Sequence, residues 1–498
     1  MAGGTAEDPV GVEVLSPGDQ YSKLVGFVYV FNLIVGTGAL TMPDAFKEAG
    51  WLLSLIGIIA LAFMSYVTLT FMTETMAISN AKMRFQKFVS DNEQNGLKKE
   101  DSGGPSVNAD ETQPLLHKTP PKYSEMRPSF EITERVEMGS MAFMYFNKIG
   151  LSLFHLCIIV YLYGDLAIYA AAVPKSLRDV VCSFRKNSSN CNETEVDTDP
   201  CWSEGLNINR MDAYRIFVAA FLVLLGPFVF FNVQKTKYLQ IFTSVARWTA
   251  FLVMIILTSI QLGQGKGKGN PVVADIAGVP NLFGVCVYSF MCHHSLPSLI
   301  TPIKNKSRLL PVLAGNYFII LLFYILLSFT AVFAFKNIND LYTLNFQPYS
   351  CDPVTDIVPF QYFLALFPVF TLSTSFPIIA ITLRNNIIAS ISPRSGQLNW
   401  AVEKLLCPLL ALIPPVAVAM GTNEVEFLVG ITGSYAGAGI QYIIPATLVY
   451  LARRDILAIG HNYQHKSPFA HKGWVFLIIG WAIVCVGFVT ANHIITKE

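Results

Sequence analysis

The chain has 498 residues, of which 53% are hydrophobic and only 14% are Asp, Glu, Lys or Arg, and its formal net charge is +1. Two stretches, 80–137 and 174–212, hold 31 of the 69 charges, so the remaining 401 residues carry fewer than one charge in ten positions. Soluble domains have roughly 25% charged residues, which argues against a soluble enzyme, and so small a net charge gives no case for a nucleic-acid-binding protein.

Apolar stretches long enough to cross a bilayer recur along the chain. A bilayer core needs about 20 apolar residues per helix, and its backbone groups must be bonded internally, which helices achieve. A polar, acidic leader precedes the first stretch, so we interpret it as a retained helix rather than a signal peptide. The sequence predicts an all-α polytopic membrane protein with eleven transmembrane helices, at 24–46, 51–76, 150–173, 213–231, 241–262, 281–302, 311–335, 358–382, 403–420, 427–451 and 474–493.

Basic residues in the short loops predict the orientation of these helices. With the N-terminus in the cytosol, twelve Lys or Arg residues face inward and five face outward, as the positive-inside rule requires. The predicted order is a cytosolic tail at 1–22, helices 1–2 at 23–79, a largely disordered cytosolic linker at 80–137, helix 3 with its approach at 138–173, a lumenal glycosylated loop at 174–212, helices 4–11 at 213–493 and a lumenal C-terminus at 494–498.

The predicted lumenal loops carry features of the secretory pathway. Asn187 and Asn192 each begin an Asn-x-Ser/Thr triplet, which accepts glycans only on the lumenal side. Four lumenal cysteines allow up to two disulfides, and sequence alone leaves all three pairings open. They are Cys182, Cys191, Cys201 and Cys351.

The cytosolic linker is rich in Gly, Pro, Ser, Asp and Lys from about Ser90 to Pro128 and lacks apolar periodicity, which predicts disorder. Within it, Glu111 lies four residues before the pair Leu115 and Leu116. This spacing resembles the dileucine signal that endosomal and lysosomal sorting adaptors bind. An accidental leucine pair is the alternative.

Two predicted helices carry internal breaks. The first has Gly36, Gly38 and then Pro43, and unwinding there exposes N–H groups that suit a substrate carboxylate and carbonyls that suit a cation. The sixth has the pair His293-His294 shortly before Pro297. The two breaks are five helices apart, the spacing of a five-plus-five inverted repeat. The alternative is that the glycines permit close packing and Pro297 only bends its helix.

The eighth helix contains four hydroxyl side chains within five residues, Thr371, Ser373, Thr374 and Ser375. Hydroxyl and carbonyl oxygens are hard ligands for a small cation such as Na⁺. The alternative is that these hydroxyls bond back to carbonyls of their own helix.

Few charges remain inside the predicted helices. Asp165 is a candidate for gating, proton relay or contact with a substrate amine, or else a structural anchor, because an acid in lipid is costly unless it is paired or hydrated. Arg247 is a candidate partner between helices, and Glu74 is expected to be solvated at the cytosolic end of its helix. The glycine-rich run 430–439 is interpreted as a close-packing face.

The pattern Asn32-x-Ile34-Val35-Gly36-x-Gly38-x-Leu40-x-x-Pro43 resembles the first-helix signature of the amino acid/auxin permease family, and is most similar to that of sodium-coupled neutral amino acid transporters. The resemblance extends over nearly all of the membrane-embedded chain. It includes Gly164-Asp165-Leu166, Cys292-His293 before Pro297, and Phe376-Pro377 after the hydroxyl-rich segment. It implies a leucine-transporter-type fold, a five-plus-five inverted repeat plus one extra helix, that carries amino acids by alternating access.

The resemblance also implies which residues bind ligands. The predicted substrate-binding residues are Gly36, Thr37, Gly38, Ser289 and His293. The predicted cation-coupling residues are Asn32, Asp165, Thr371, Ser373, Thr374 and Ser375. The chain departs from the family pattern in having paired histidines and in having Asp165 where the family has a longer acid, which leaves the substrate and the ion open.

The leading hypothesis is a cation-coupled secondary transporter, driven by Na⁺ or H⁺, for amino acids or similar small zwitterions. The alternative is a non-transporting nutrient sensor or adaptor that signals through the linker. No enzymatic activity, metal site or cofactor beyond the coupling ion is predicted. The expected partners are an amino-acid-like molecule, membrane lipid and a sorting adaptor at the linker, for a monomer in the endosomal, lysosomal or plasma membrane.

Overall fold

The computed structural model describes residues 13–14, 20–100, 129–184, 196–202, 208–230, 237–348, 353–391, 399–456 and 463–495. Some of the predictions fall on residues outside these ranges. They are the glycosylation triplets at Asn187 and Asn192, the sorting motif of Glu111, Leu115 and Leu116, and any role of Cys191 and Cys351 in a disulfide.

Within the described residues, ten helices are long and apolar enough to cross a membrane, and a pair of helices bent by 53° forms an eleventh span. The predicted all-α polytopic fold is therefore confirmed. Spans 1 to 11, numbered in chain order, are Lys23–Ile34 with Thr37–Ala49, Trp51–Ser90, Lys148–Val181, Arg210–Phe230, Lys237–Gly263, Ile276–Ile300, Leu309–Ala334, Val358–Ile391, Val402–Gly421, Val425–Asp455 and Lys472–Ile495. Shorter helices form at Met138–Tyr145 and Tyr342–Phe346.

Spans 1 and 6 are interrupted, as their glycines, histidines and prolines predict. In span 1 the first half-helix ends at Ile34 and the second begins at Thr37, with Gly36 between them. Span 6 is helical over Val279–Ser289, makes one 3₁₀ turn at His293–Ser295 and ends in the short helix Leu296–Ile300. The second half of span 1 packs against the first half of span 6, so two breaks that are five spans apart meet inside the bundle.

The helix of span 2 continues to Glu100, past residue 80, where the sequence analysis begins the linker. No glycine or proline stands between Gly57 and Gly96 to end it. The other end of the linker is also ordered, because Ile132 and Val136 are buried. The described residues at both ends of the predicted linker are therefore ordered, whereas 101–128, within the stretch predicted to be disordered, lie outside the described residues.

The bundle has two faces, which we call the near face, where Lys23 begins span 1, and the far face, where Gly50 turns the chain into span 2 with a positive φ of 83°. On the near face, strands Glu13–Val14 and Glu134–Arg135 form an antiparallel pair. On the far face, a disulfide joins Cys182 and Cys201. The expectation of a disulfide is confirmed for these two of the four cysteines.

Spans 6 and 10 approach each other closely through glycines. A β-carbon on Gly284 would lie 2.7 Å from the carbonyl carbon of Gly430, and one on Gly433 would lie 2.8 Å from the carbonyl carbon of Gly284. Span 10 is π-helical over Gly433–Gly437 and Gly439–Ile443 in this region. The glycine-rich run in span 10 therefore serves as the close-packing face that the sequence predicts.

Candidate substrate and ion site

The two breaks share a buried tyrosine that the sequence analysis does not single out. The hydroxyl of Tyr324, in span 7, lies 3.0 Å from the carbonyl oxygen of Ile34 and 2.9 Å from that of Ser289. The Ser289 carbonyl lies at the end of its half-helix without an intrahelical donor, whereas the Ile34 carbonyl also accepts from the backbone N–H of Gly36 at 2.9 Å. Because one hydroxyl has one proton, Tyr324 can fully satisfy only one of the two acceptors at a time.

Gly36 and Gly38, both predicted to bind the substrate carboxylate, differ in the space around them. No heavy atom outside Gly36 and its chain neighbours lies within 4 Å of where a β-carbon on Gly36 would stand, among the residues described. A β-carbon on Gly38 would instead lie 2.8 Å from the α-carbon of Ser289. Gly38 and Ser289 are thus the contact between spans 1 and 6, and the Ser289 hydroxyl bonds to the Val285 carbonyl at 2.7 Å.

A buried polar group lies beside the break of span 1. The hydroxyls of Thr37 and Tyr288 lie 3.3 Å apart, and Tyr288 donates a hydrogen bond to the carboxylate of Asp165. Spans 1, 3 and 6 therefore meet through side chains that include one acid, and Asp165 is partnered as its position in the membrane requires.

The paired histidines lie at the break of span 6. His293 is fully buried, and its Nε2 lies 3.0 Å from the hydroxyl of Thr68. The ring of His294 lies 5.3 Å from the ring of Tyr161. The Nδ1 atoms of both histidines are buried without a hydrogen-bond partner among the described residues, so each has a position free for another polar group.

The predicted cation residues are not brought together by direct contacts. Three of the four hydroxyls in span 8 donate to carbonyls of their own helix: Thr371 to Phe367, Thr374 to Thr371, and Ser375 to Thr371, at 2.9–3.2 Å. Ser373 is half-buried. Span 8 packs mainly against spans 3, 5 and 9.

Asn32, the predicted ligand in span 1, has a different neighbour. Its side-chain amide is buried without a partner among the described residues, and its backbone carbonyl accepts a hydrogen bond from Arg247 of span 5. Arg247 thus contacts another helix, as expected.

A cavity of about 440 Å³ opens on the far face, between spans 1, 6 and 10. The amide nitrogen of Asn281 in its wall donates to Glu48 at 2.9 Å and to Glu426 at 2.6 Å. Lys175 pairs with Asp340 at 2.7 Å on the same wall. Among the described residues that line the cavity, carboxylates therefore outnumber amines, and Lys175 is the one amine.

The near face is closed by a carboxylate that the sequence analysis expects to be solvated. That expectation is wrong, because Glu74 is fully buried. It accepts hydrogen bonds from Arg453 at 2.6 and 2.9 Å, from the Tyr463 hydroxyl at 2.5 Å and from the Ser467 backbone N–H at 3.0 Å. Residues of span 10 and of the segment after it therefore surround the Glu74 carboxylate. The same hydrogen bonds hold these two segments against span 2.

Nearby on the near face, the Lys306 side chain lies in the turn between spans 6 and 7. Burial lowers the pKa of its ammonium to about 8, and the charge of Glu131 partly opposes this shift. Burial and the positive charge of Lys306 also lower the pKa of His465. The burial that lowers both pKa values indicates that this face is tightly packed around the end of the linker.

Over nearly its whole length the chain is similar to known membrane proteins. The model of a family described as transmembrane amino acid transporter protein matches residues 20–492. The chain is 52% identical over 496 residues to transmembrane protein 104 of Homo sapiens, which covers 97% of this chain and 99% of that protein. It is 46% identical over 499 residues to the transmembrane protein 104 homolog of Drosophila melanogaster, covering 95% and 97% of the two chains. It is 34% identical over 522 residues to the homolog of Dictyostelium discoideum, covering 97% and 99%. The resemblance that the motifs of spans 1, 3, 6 and 8 predict is confirmed.

Proposed function

Because the chain belongs to the transmembrane amino acid transporter family, we propose that it is a secondary transporter that moves amino acids or similar small zwitterions by alternating access, driven by a cation gradient. The meeting of the two interrupted spans is the observation that carries this proposal. The half-helix that begins at Thr37 offers unpaired N–H groups for a carboxylate. Gly36 leaves open space beside them, and the acid of Asp165 is available nearby for an ammonium group.

The test is uptake of labelled amino acids by purified protein in vesicles with an imposed Na⁺ or pH gradient. Gly36→Val fills the open space at the break, so we expect uptake to fall to background while the variant remains monodisperse. Gly315→Val is the matched control, because Gly315 is an exposed glycine in span 7 that also has open space around it. Full uptake by Gly36→Val would remove the substrate site from this break.

We also propose that the near face is cytosolic and the far face lumenal or extracellular. The distribution of basic residues supports this orientation, as does the disulfide between Cys182 and Cys201 on the far face, since disulfides persist in oxidising compartments. Glycans at Asn187 and Asn192 would be removed by glycosidase and absent from Asn→Gln variants. A chain with no glycan at either position would weaken the assignment.

The proposed residence in endosomes or lysosomes depends on the sorting motif. Replacing Leu115 and Leu116 by alanine should move the protein to the cell surface. The neighbouring change Thr112→Ala, which leaves the leucines in place, serves as the control. An unchanged distribution in the leucine variant would discard the motif.

A sensor or adaptor that signals through the linker is the second candidate. One contact favours it. The Ser298 hydroxyl, in the second half of span 6, accepts a hydrogen bond from Arg135 at 2.7 Å and donates one to Glu137 at 2.9 Å. The end of the linker therefore contacts an interrupted span. Deleting residues 95–125 separates the two candidates. A transporter should still move its substrate, whereas a sensor should lose its partners.

A further inference from the structure

Arg247 is a charged side chain near the middle of span 5 that reaches the break of span 1. Its guanidinium donates to the carbonyl oxygen of Asn32, in the last turn before the break. The adjacent rings of Trp248 and Phe31 stack with centroids 3.9 Å apart, which fixes span 5 against span 1 at this level. The contact is therefore part of the packing between the two spans.

The positive charge of Arg247 has no acidic partner among the residues that the structure describes. No carboxylate lies within ion-pairing distance of it in the described part of the chain, and the charged or titratable groups that face it are the hydroxyls of Tyr169 and Tyr324. A guanidinium keeps its proton in proteins, so this charge is permanent. Unpaired charges inside membrane helices are costly and typically mark a functional site.

The carbonyl that Arg247 binds belongs to the residue that the family resemblance assigns to the coupling cation. Backbone carbonyls at such a break are what a bound Na⁺ would use as ligands. Here one carbonyl already faces a fixed positive charge, and like charges at ligand distance repel strongly where water is scarce. The amide of Asn32 remains without a partner beside it among the described residues.

We propose that the guanidinium of Arg247 is a tethered cation that takes the place of a coupling Na⁺ at the break of span 1. The side chain holds the carbonyl at the end of this half-helix as an ion would, and the site does not take up Na⁺. This inference rests on the proposed transport function, because only a transporter has a coupling ion to replace. Its claim about Na⁺ binding is nevertheless tested without measuring transport.

The test compares thermal unfolding of the purified full-length protein in NaCl and in choline chloride at equal ionic strength. A ligand that binds the folded protein raises the unfolding midpoint, so a Na⁺ site shows as a shift between the two salts. We expect no shift for the parent chain. We expect Arg247→Gln, which removes the charge and leaves the Asn32 carbonyl, to gain a Na⁺-specific rise.

Two further variants sharpen the comparison. Arg247→Lys keeps the charge and should remain insensitive to Na⁺. Arg215→Gln makes the same chemical change at an exposed position in span 4 and should behave as the parent. Should Arg247→Gln aggregate, Arg247→Leu provides the same loss of charge.

A Na⁺-specific shift in the parent chain overturns the proposal, and so does the absence of a gain in a folded, neutral Arg247 variant. Uptake gives an independent reading. Replacing Na⁺ by choline should leave uptake by the parent unchanged, whereas linked binding of Na⁺ and substrate typically changes affinity roughly 5-fold to 150-fold. If no amino acid is taken up under any gradient, the proposed function fails, and the salt comparison still decides the role of Arg247.

Discussion

The two glycines at the break of span 1 look alike in sequence and differ in their surroundings. Gly38 touches the backbone of Ser289, and Gly36 faces open space. Added volume at a packed position forces the helices apart and typically costs about 1–3 kcal/mol. We expect Gly38→Ala to lower the unfolding midpoint of the purified protein, and Gly36→Ala to change it little.

The measurement is thermal unfolding of both alanine variants in the same detergent. Since the two substitutions are chemically identical and two residues apart, Gly36→Ala controls for the loss of a glycine from this segment. Equal midpoints for the two variants would contradict the close contact between spans 1 and 6.

Sequence reasoning locates the breaks in spans 1 and 6 because several residues of low helix propensity lie close together there, whichever face of the helix they occupy. A proline alone is not enough, since span 8 stays helical through Pro368 and Pro377. Sequence reasoning does not find Tyr324, because span 7 is apolar on all sides and nothing local tells which face a tyrosine presents. The same limit explains the error at Glu74. Its position near a helix end suggests water, but its partner Arg453 is 379 residues away in the chain.

At the scale of elements, the end of the linker joins two spans on the near face. The Asn80 side chain accepts from the backbone N–H groups of Thr133 and Glu134 at 3.1 and 2.8 Å, which ties the linker to the helix of span 2. Arg135 and Glu137 then bond to Ser298 in span 6. Linker residues therefore hold the near half of an interrupted helix, although composition predicts only disorder for most of this stretch.

Arg135→Ala should loosen that half of span 6. The pair of Arg135 and Glu137 is about one-third exposed, so its loss costs on the order of 1 kcal/mol, which is roughly a fivefold change in a local opening equilibrium. Hydrogen exchange should accelerate by about that factor in Leu296–Ile300 and remain unchanged in Val279–Ser289.

Lys87→Ala is the control for this experiment, because Lys87 is an exposed basic residue on the near-face helix. Unchanged exchange in Leu296–Ile300 of the Arg135 variant would mean that packing alone holds the near half of span 6. The linker would then have no mechanical connection to the break.

At the scale of the whole molecule, the bundle is open on the far face and closed on the near face. The far-face cavity of about 440 Å³ reaches Ser434 in span 10. On the near face, Glu74 joins span 2 to span 10 and to the following segment through four hydrogen bonds. An alternating-access protein in this state should exchange with one whose near face is open and whose far face is closed.

Glu74→Gln should shift that equilibrium toward the near-open state. Glutamine keeps the size of the side chain but removes the charge that four donors share, and breaking a buried ion pair costs on the order of 3 kcal/mol. The reporter is Ile431→Cys, a substitution in the lining of the far cavity, labelled with a membrane-impermeant maleimide after subtraction of labelling in the parent chain. We expect slower labelling at position 431 when Glu74 is replaced, because the far cavity closes as the near face opens.

Gln264→Cys, in the exposed far-face loop after span 5, should be labelled equally with and without the Glu74 change, which controls for access of the reagent. A second reading separates gating from simple loss of stability. If the unfolding midpoint falls but labelling at position 431 is unchanged, Glu74 holds the near face together without being coupled to the far cavity. Slower labelling at position 431 with equal labelling at 264 instead shows that one buried carboxylate on the near face controls access from the opposite side, as rocking of one bundle against the other requires.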